Sequence, residues 1–112
     1  MYPDLKGKTA IVTGAGKKSG IGYSIAERLA SCGCHVVIAD LGRAPSPEEP
    51  LKTATREEMA VIADELAKAH GVRTLAAAVD VTNGADIEAM ASTVRDAFDR
   101  VDILCNNAGA SF

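Results

Sequence analysis

Hydrophobic positions along the chain follow two patterns in alternation. Short, almost unbroken apolar runs occupy residues 9–12, 36–39, 75–79 and 103–105, and between them apolar residues return every three or four positions. The first pattern predicts strands covered on both faces, the second amphipathic helices. Strands are expected at residues 9–13, 35–40, 73–80 and 102–106. The first helix is expected at residues 21–32, on the recurrence of Ile21, Ile25 and Leu29. Met59, Ile62, Ala63, Leu66 and Ala67 form the stripe of a second at 55–70, and Ile87, Met90, Ala91, Val94, Phe98 and Val101 that of a third at 83–100. Gly33 and Gly71 are placed as helix stops, and Thr55 with Glu58 has the spacing of a capping box. A polar lead-in, punctuated by Pro3 and Gly7, precedes the first strand. Residues 41–54, with Pro45, Pro47, Pro50, Glu48 and Glu49, carry no periodicity and read as a loop.

Four strands alternating with three helices predict an α/β fold of the Rossmann type. Each crossover is long enough to be right-handed and to lay a helix on a parallel sheet, so the chain reads as about half of a doubly wound domain. Such sheets bind ligands outside the carboxyl ends of their strands. The polar residues fall at just those ends: a glycine-rich stretch after the first strand, Asp40 after the second, Asp80 after the third, Asn106 and Asn107 after the fourth.

The glycine-rich stretch, residues 13–22, reads Thr-Gly-Ala-Gly-Lys-Lys-Ser-Gly-Ile-Gly. Between a strand and a helix, glycines let an anion approach main-chain N–H groups at the positive end of the helix dipole, which points to phosphate binding. The literal dinucleotide fingerprint fails, because Ser19 stands where the third glycine would fall. Asp40 lies eighteen residues beyond Gly22. A carboxylate there accepts hydrogen bonds from both hydroxyls of an adenosine ribose and repels a 2′-phosphate, which favours NAD over NADP. Lys17, Lys18 and Arg43 are the cations that would instead pair with a phosphate.

Composition narrows the picture further. At 112 residues with 47% hydrophobic and 4% aromatic content, the chain is expected to be one domain with an aliphatic core. A net charge of −3 and the lack of a basic cluster argue against nucleic acid. No run suits a membrane span or a secretory leader, so a cytoplasmic location is expected. Cys32, Cys34 and Cys105 lack metal-site spacing and read as small buried hydrophobes; His35 and His70 read as structural.

These residues together resemble the amino-terminal part of a classical short-chain dehydrogenase/reductase. Thr13, Gly14, Gly20, Ile21 and Gly22 resemble the family's Thr-Gly-x-x-x-Gly-Ile-Gly loop. Asp80-Val81-Thr82 resembles its Asp-Val-Thr, and Asn106-Asn107-Ala108-Gly109 its Asn-Asn-Ala-Gly. By this resemblance Ser19 and Ile21 face the pyrophosphate and nicotinamide side; Gly14, Gly20, Gly22 and Leu41 are expected in the same cofactor site, together with the Asp40 carboxylate. Asp80 and Val81 face the adenine, while Asn106, Ala108 and Gly109 face a ribose and hold the central sheet. Two departures stand out. Five residues, not the family's three, separate Gly14 from Gly20, and residues 41–54 make a longer link than usual, expected to fold over the adenine.

The resemblance implies an oxidoreductase that moves a hydride between NAD(H) and an alcohol or carbonyl. Its serine, its tyrosine four residues before a lysine and its further asparagine belong to the second half of the family's chain. Tyr2 and Lys6 have that spacing but precede the first strand, Tyr23 has no such lysine, and Ser111 follows the Asn-Ala-Gly turn too closely. No catalytic residue and no metal ligand is assigned here. Residues 1–112 are expected to be the cofactor-binding half of a truncated or nicked enzyme, inactive alone and partnered by its carboxyl-terminal half, in a homo-oligomer, dimer or tetramer. In the family's order the fourth strand lies inside the sheet, so Ile103, Leu104 and part of the third helix are expected to expose an apolar patch. Alternatives are a non-catalytic, redox-sensing nucleotide-binding module, or an assembly fragment that works through that edge.

Overall fold

A computed structural model describes residues 5–16, 20–41 and 55–106. The elements run β1 (Thr9–Thr13), α1 (Ile21–Ser31), β2 (His35–Asp40), α2 (Arg56–His70), β3 (Thr74–Ala78), α3 (Gly84–Phe98) and β4 (Ile103–Cys105). The four strands form one parallel sheet in the order β3-β2-β1-β4. The expected α/β architecture is therefore present.

This order fixes where the helices go. The chain steps from β1 to β2 to β3 in one direction and then back across to β4. Right-handed crossovers lay helices on the same face for two steps in one direction and on the opposite face when the direction reverses. Accordingly, Ala26 and Ala30 of α1 and Met59, Ile62, Ala63 and Leu66 of α2 pack with Val12, Val36 and Ile38. Val94 and Phe98 of α3 pack with Ile11, Val37 and Ala39 on the other side. Neighbouring residues of β1 and β2 thus serve opposite clusters, the condition that produces unbroken apolar strands.

Helix ends follow their local chemistry. The Thr55 hydroxyl accepts from the Glu58 N–H at 3.2 Å while Glu58 Oε1 accepts from the Thr55 N–H at 3.1 Å, completing the capping box that opens α2. Gly71 closes it at φ +66°, and Gly33 follows α1 at φ +92°. At the amino end of the sheet, Asp102 pairs with Thr9 in both directions: Thr9 N–H donates to Asp102 Oδ2 and Asp102 N–H to the Thr9 carbonyl, each at 2.9 Å. Arg100 holds the other carboxylate oxygen. First that guanidinium and then the Thr9 N–H keep the Asp102 carboxyl below its ordinary range. His35 Nδ1 accepts from the Arg73 N–H at 3.0 Å, and its ring lies over Phe98 beside the Arg73 guanidinium. Burial and then Arg73 lower the His35 pKa. His70 meets Glu27 at 2.5 Å, tying α2 to α1.

Several boundaries and faces differ from the sequence reading. β3 stops at Ala78, where pairing with Asp40 ends, and β4 is three residues long because it pairs only with residues 10–12. α3 ends at Phe98, since Asp99 turns to φ +68°. In α1 the fully buried positions are Gly22, Ala26 and Ala30, one residue ahead of the predicted stripe. Ile21 is 73% exposed, and Ile25 and Leu29 are half-buried at the margin of the cluster. In α3 only Val94 and Phe98 are buried, and Ile87, with Val101 beyond the helix end, lies exposed, in keeping with the apolar patch expected on part of this helix. Leu104 is exposed as expected, but Ile103 is half-buried, because it turns onto the face covered by α1 and α2. Cys32 and Cys34 are buried free thiols, Cys34 with its pKa raised mainly by that burial, and Cys105 is half-buried.

Candidate functional site

All four strands run the same way and are nearly in register, with Thr13 opposite Ala39, Val12 opposite Cys105 and Asp40 opposite Ala78. Their carboxyl ends therefore form one rim. Strand order reverses between β1 and β4, the switch point at which doubly wound sheets open a crevice. At its base the Thr13 hydroxyl donates to the Cys105 carbonyl at 3.2 Å, adding a side-chain tie between these two neighbouring strands. Sequence reasoning did not single out that hydroxyl, although a threonine ending an apolar strand just before a glycine turn was visible.

Of the predicted site residues, the rim gathers Gly14, Gly20, Ile21, Gly22, Asp40, Leu41 and Asn106 at the ends of β1, β2 and β4, with Asp80 and Val81 just beyond β3. Ser19, Ala108 and Gly109 lie outside the described residues, as do Lys17, Lys18, Arg43, Asn107 and the loop at 42–54. Gly14 has φ +69°, a left-handed conformation that disfavours any side chain. The chain then turns back over β2: the Ala15 N–H donates to the Ala39 carbonyl at 3.3 Å and the Gly16 N–H to Asp40 Oδ2 at 2.9 Å.

Asp40 is fixed at three points. Its Oδ1 accepts from the Leu41 N–H at 2.8 Å, its Oδ2 from Gly16, and its carbonyl from the Val79 N–H at 2.7 Å. A carboxylate has about four acceptor positions. Two N–H donors leave capacity for two ligand hydroxyls. Gly16 is the residue the sequence reading missed, since nothing in a spacing of twenty-four residues marks a glycine N–H as the partner of an aspartate.

The turn before α3 is built differently. Asp80 Oδ1 accepts from both the N–H and the hydroxyl of Thr82, at 2.9 and 2.6 Å, and Asp86 Oδ2 accepts from the Asp80 N–H at 3.0 Å. Asn83 caps α3 through the Asp86 N–H. Val81 is left 41% exposed on the rim, like Ile21. The three helix starts also differ in charge. α2 and α3 carry capping side chains and acids in their first turns, whereas α1 starts from Gly20 with no acidic residue in its first turn. The positive end of α1 is the one directed to the glycine turn and is suited to an anion.

A switch-point parallel sheet, a glycine turn opening a helix after its first strand and a fixed carboxylate closing its second define a nucleotide-binding α/β domain. Residues 8–112 match the short chain dehydrogenase family, and the chain belongs to it. It is 35% identical over 105 residues to 1-deoxy-11-beta-hydroxypentalenate dehydrogenase of Streptomyces avermitilis, covering 94% of this chain and 33% of that one. It is 34% identical over 109 residues to glucose 1-dehydrogenase 2 of Bacillus subtilis, covering 97% and 36%. Among solved structures, carveol dehydrogenase from Mycobacterium avium in complex with NAD superposes with a TM-score of 0.82 at 30% identity, over 97% of this chain and 38% of that one. L-sorbose reductase from Gluconobacter frateurii, complexed with NADPH and L-sorbose, gives 0.76 at 34% identity, over 96% and 35%. The chain thus spans about a third of the length of these relatives, and the solved ones hold either nicotinamide cofactor. No helix among the described residues is long and apolar enough to cross a membrane.

Proposed function

We propose that this chain is the cofactor-binding part of an oxidoreductase that transfers a hydride between NAD(H) and an alcohol or carbonyl compound. The observation that carries the reading is the Asp40 carboxylate, held at the end of β2 beside the glycine turn with acceptor capacity to spare. Its two ribose hydroxyl bonds would orient the adenosine, and its charge opposes a 2′-phosphate, hence NAD over NADP. Gly14 and the start of α1, residues 20–22, would receive the pyrophosphate, and the family resemblance assigns Ser19 to the same ligand. Leu41, Asp80 and Val81 would bound the adenine, while Asn106, Ala108 and Gly109 would support the nicotinamide ribose. The nicotinamide supplies the hydride chemistry when bound; this chain's own residues bind and orient. The proton at the substrate oxygen needs a general acid or base, which this reading assigns to the part of the family's length that the chain does not span.

The test uses the full-length protein with a panel of secondary alcohols and their ketones, following nicotinamide absorbance with each cofactor. Turnover with NAD(H) is expected. A protein that binds NADH yet turns over no member of a broad panel would favour a non-catalytic sensor instead.

A further inference from the structure

We infer that Asp40 is also a positioning residue for the glycine turn, ordering the pyrophosphate site before any ribose arrives. The inference rests on the cofactor reading above and deepens it. Between β1 and α1, Ala15 reaches β2 through the Ala39 carbonyl and Gly16 through Asp40 Oδ2. Gly16 is itself buried, so its N–H has little access to replacement water, and a bond to a charged acceptor is among the stronger ones. The carboxylate in turn is kept in place by the Leu41 N–H and by β3 through Val79. Five residues separate Gly14 from Gly20, so this turn has more chain to order than the family's usual loop. The Gly16 contact anchors the first part of that length to the sheet. Asp40 then acts on both ends of the ligand: on the ribose directly, and on the diphosphate through the turn it holds.

Two ligands separate these roles. ADP offers ribose hydroxyls and a diphosphate; 2′,3′-dideoxy-ADP offers the diphosphate without the hydroxyls. In the full-length protein, Asp40→Ala is expected to weaken 2′,3′-dideoxy-ADP by roughly tenfold, the scale of one lost charge-assisted bond, and ADP by more. Amide exchange at Gly16 in the ligand-free protein is expected to be slow in the wild type and fast in Asp40→Ala. Asp40→Asn, which keeps one acceptor oxygen and guards against a misfolded alanine variant, should restore part of both effects. If Asp40→Ala weakens ADP alone and leaves 2′,3′-dideoxy-ADP and Gly16 exchange unchanged, Asp40 acts only on the ribose and the inference falls. If the wild type binds neither nucleotide, the cofactor reading fails, while the exchange rates still decide whether Asp40 holds the turn.

Discussion

Enlarging Ala26 tests whether the packing of α1 sets the affinity of the rim. Ala26 is fully buried and lies between Gly22 and Ala30, the small residues through which α1 rests on the sheet beside Val12 and Ile38. Ala26→Leu adds three carbon atoms at a fully buried position, and overpacking of a buried site costs about 1–3 kcal/mol. The strain is relieved by moving the helix outward, which carries residues 20–22 away from the rim. Interaction of an anion with a helix terminus is worth about 0.3–1 kcal/mol and fades within the first turn. Losing most of it corresponds to roughly a twofold to fivefold weaker diphosphate ligand. Ala26→Gly is the control. It costs about 1 kcal/mol through helix propensity without pushing the helix away, so affinity should hold within about twofold. Denaturant unfolding and calorimetric titration with ADP on the full-length variants measure both quantities. A leucine variant that is destabilised yet binds ADP like the wild type, or a glycine variant that loses as much affinity as the leucine one, would refute the argument.

Three further outcomes follow from the helix ends and the amino end of the sheet. Thr55→Ala, which removes the acceptor for the Glu58 N–H, should lower stability by about 1 kcal/mol, and Thr55→Ser should recover most of it; denaturant midpoints decide. The His35 pKa is lowered from 6.5 in the native state, so the native protein binds fewer protons than the unfolded chain through this window. Its contribution is full above about pH 6.5 and fades as pH falls toward the native value; the His35→Asn variant should lose this part of the stability profile, seen as a flatter midpoint-versus-pH curve. The Asp102 carboxyl is lowered from 3.8, so its contribution is full above that value and fades as pH falls through the native one. Asp102→Asn should therefore be less stable at neutral pH, with the gap to wild type closing in acid, and a gap that persists unchanged there would contradict the assignment.

Much of the architecture was legible because strong local signals agreed with tertiary structure. β1 and β2 read as continuous apolar runs since both their faces are covered, and the Thr55 capping box and Gly71 bounded α2 by chemistry that acts within one turn. The carboxyl-end rim was legible for the same reason, as each strand's boundary carries its polar residue with it. The faces of α1 were not. A period-four search rewards bulky Ile21, Ile25 and Leu29, whereas close approach to a flat sheet selects Gly22, Ala26 and Ala30. Large residues then flank the contact, and Ile21 is left on the rim. On α3 periodicity gave which side is apolar, and the part of it expected to lie uncovered is represented by exposed Ile87, with Val101 just beyond the helix. The pairings of Gly16 with Asp40, Asp102 with Thr9 and His70 with Glu27 join residues far apart in sequence through single polar atoms, and no periodicity records them.

The most direct test of the account is the ratio of dissociation constants for NADPH and NADH with the full-length protein, measured by fluorescence titration in one buffer at one salt concentration. Loss of a hydrogen bond to a charged acceptor is worth about 1.5–3 kcal/mol, or roughly tenfold to a hundredfold, and repulsion between the Asp40 carboxylate and a 2′-phosphate adds to it. NADH is therefore expected to bind at least about tenfold more tightly. Equal affinities, or a preference for NADPH, would contradict the role given to Asp40.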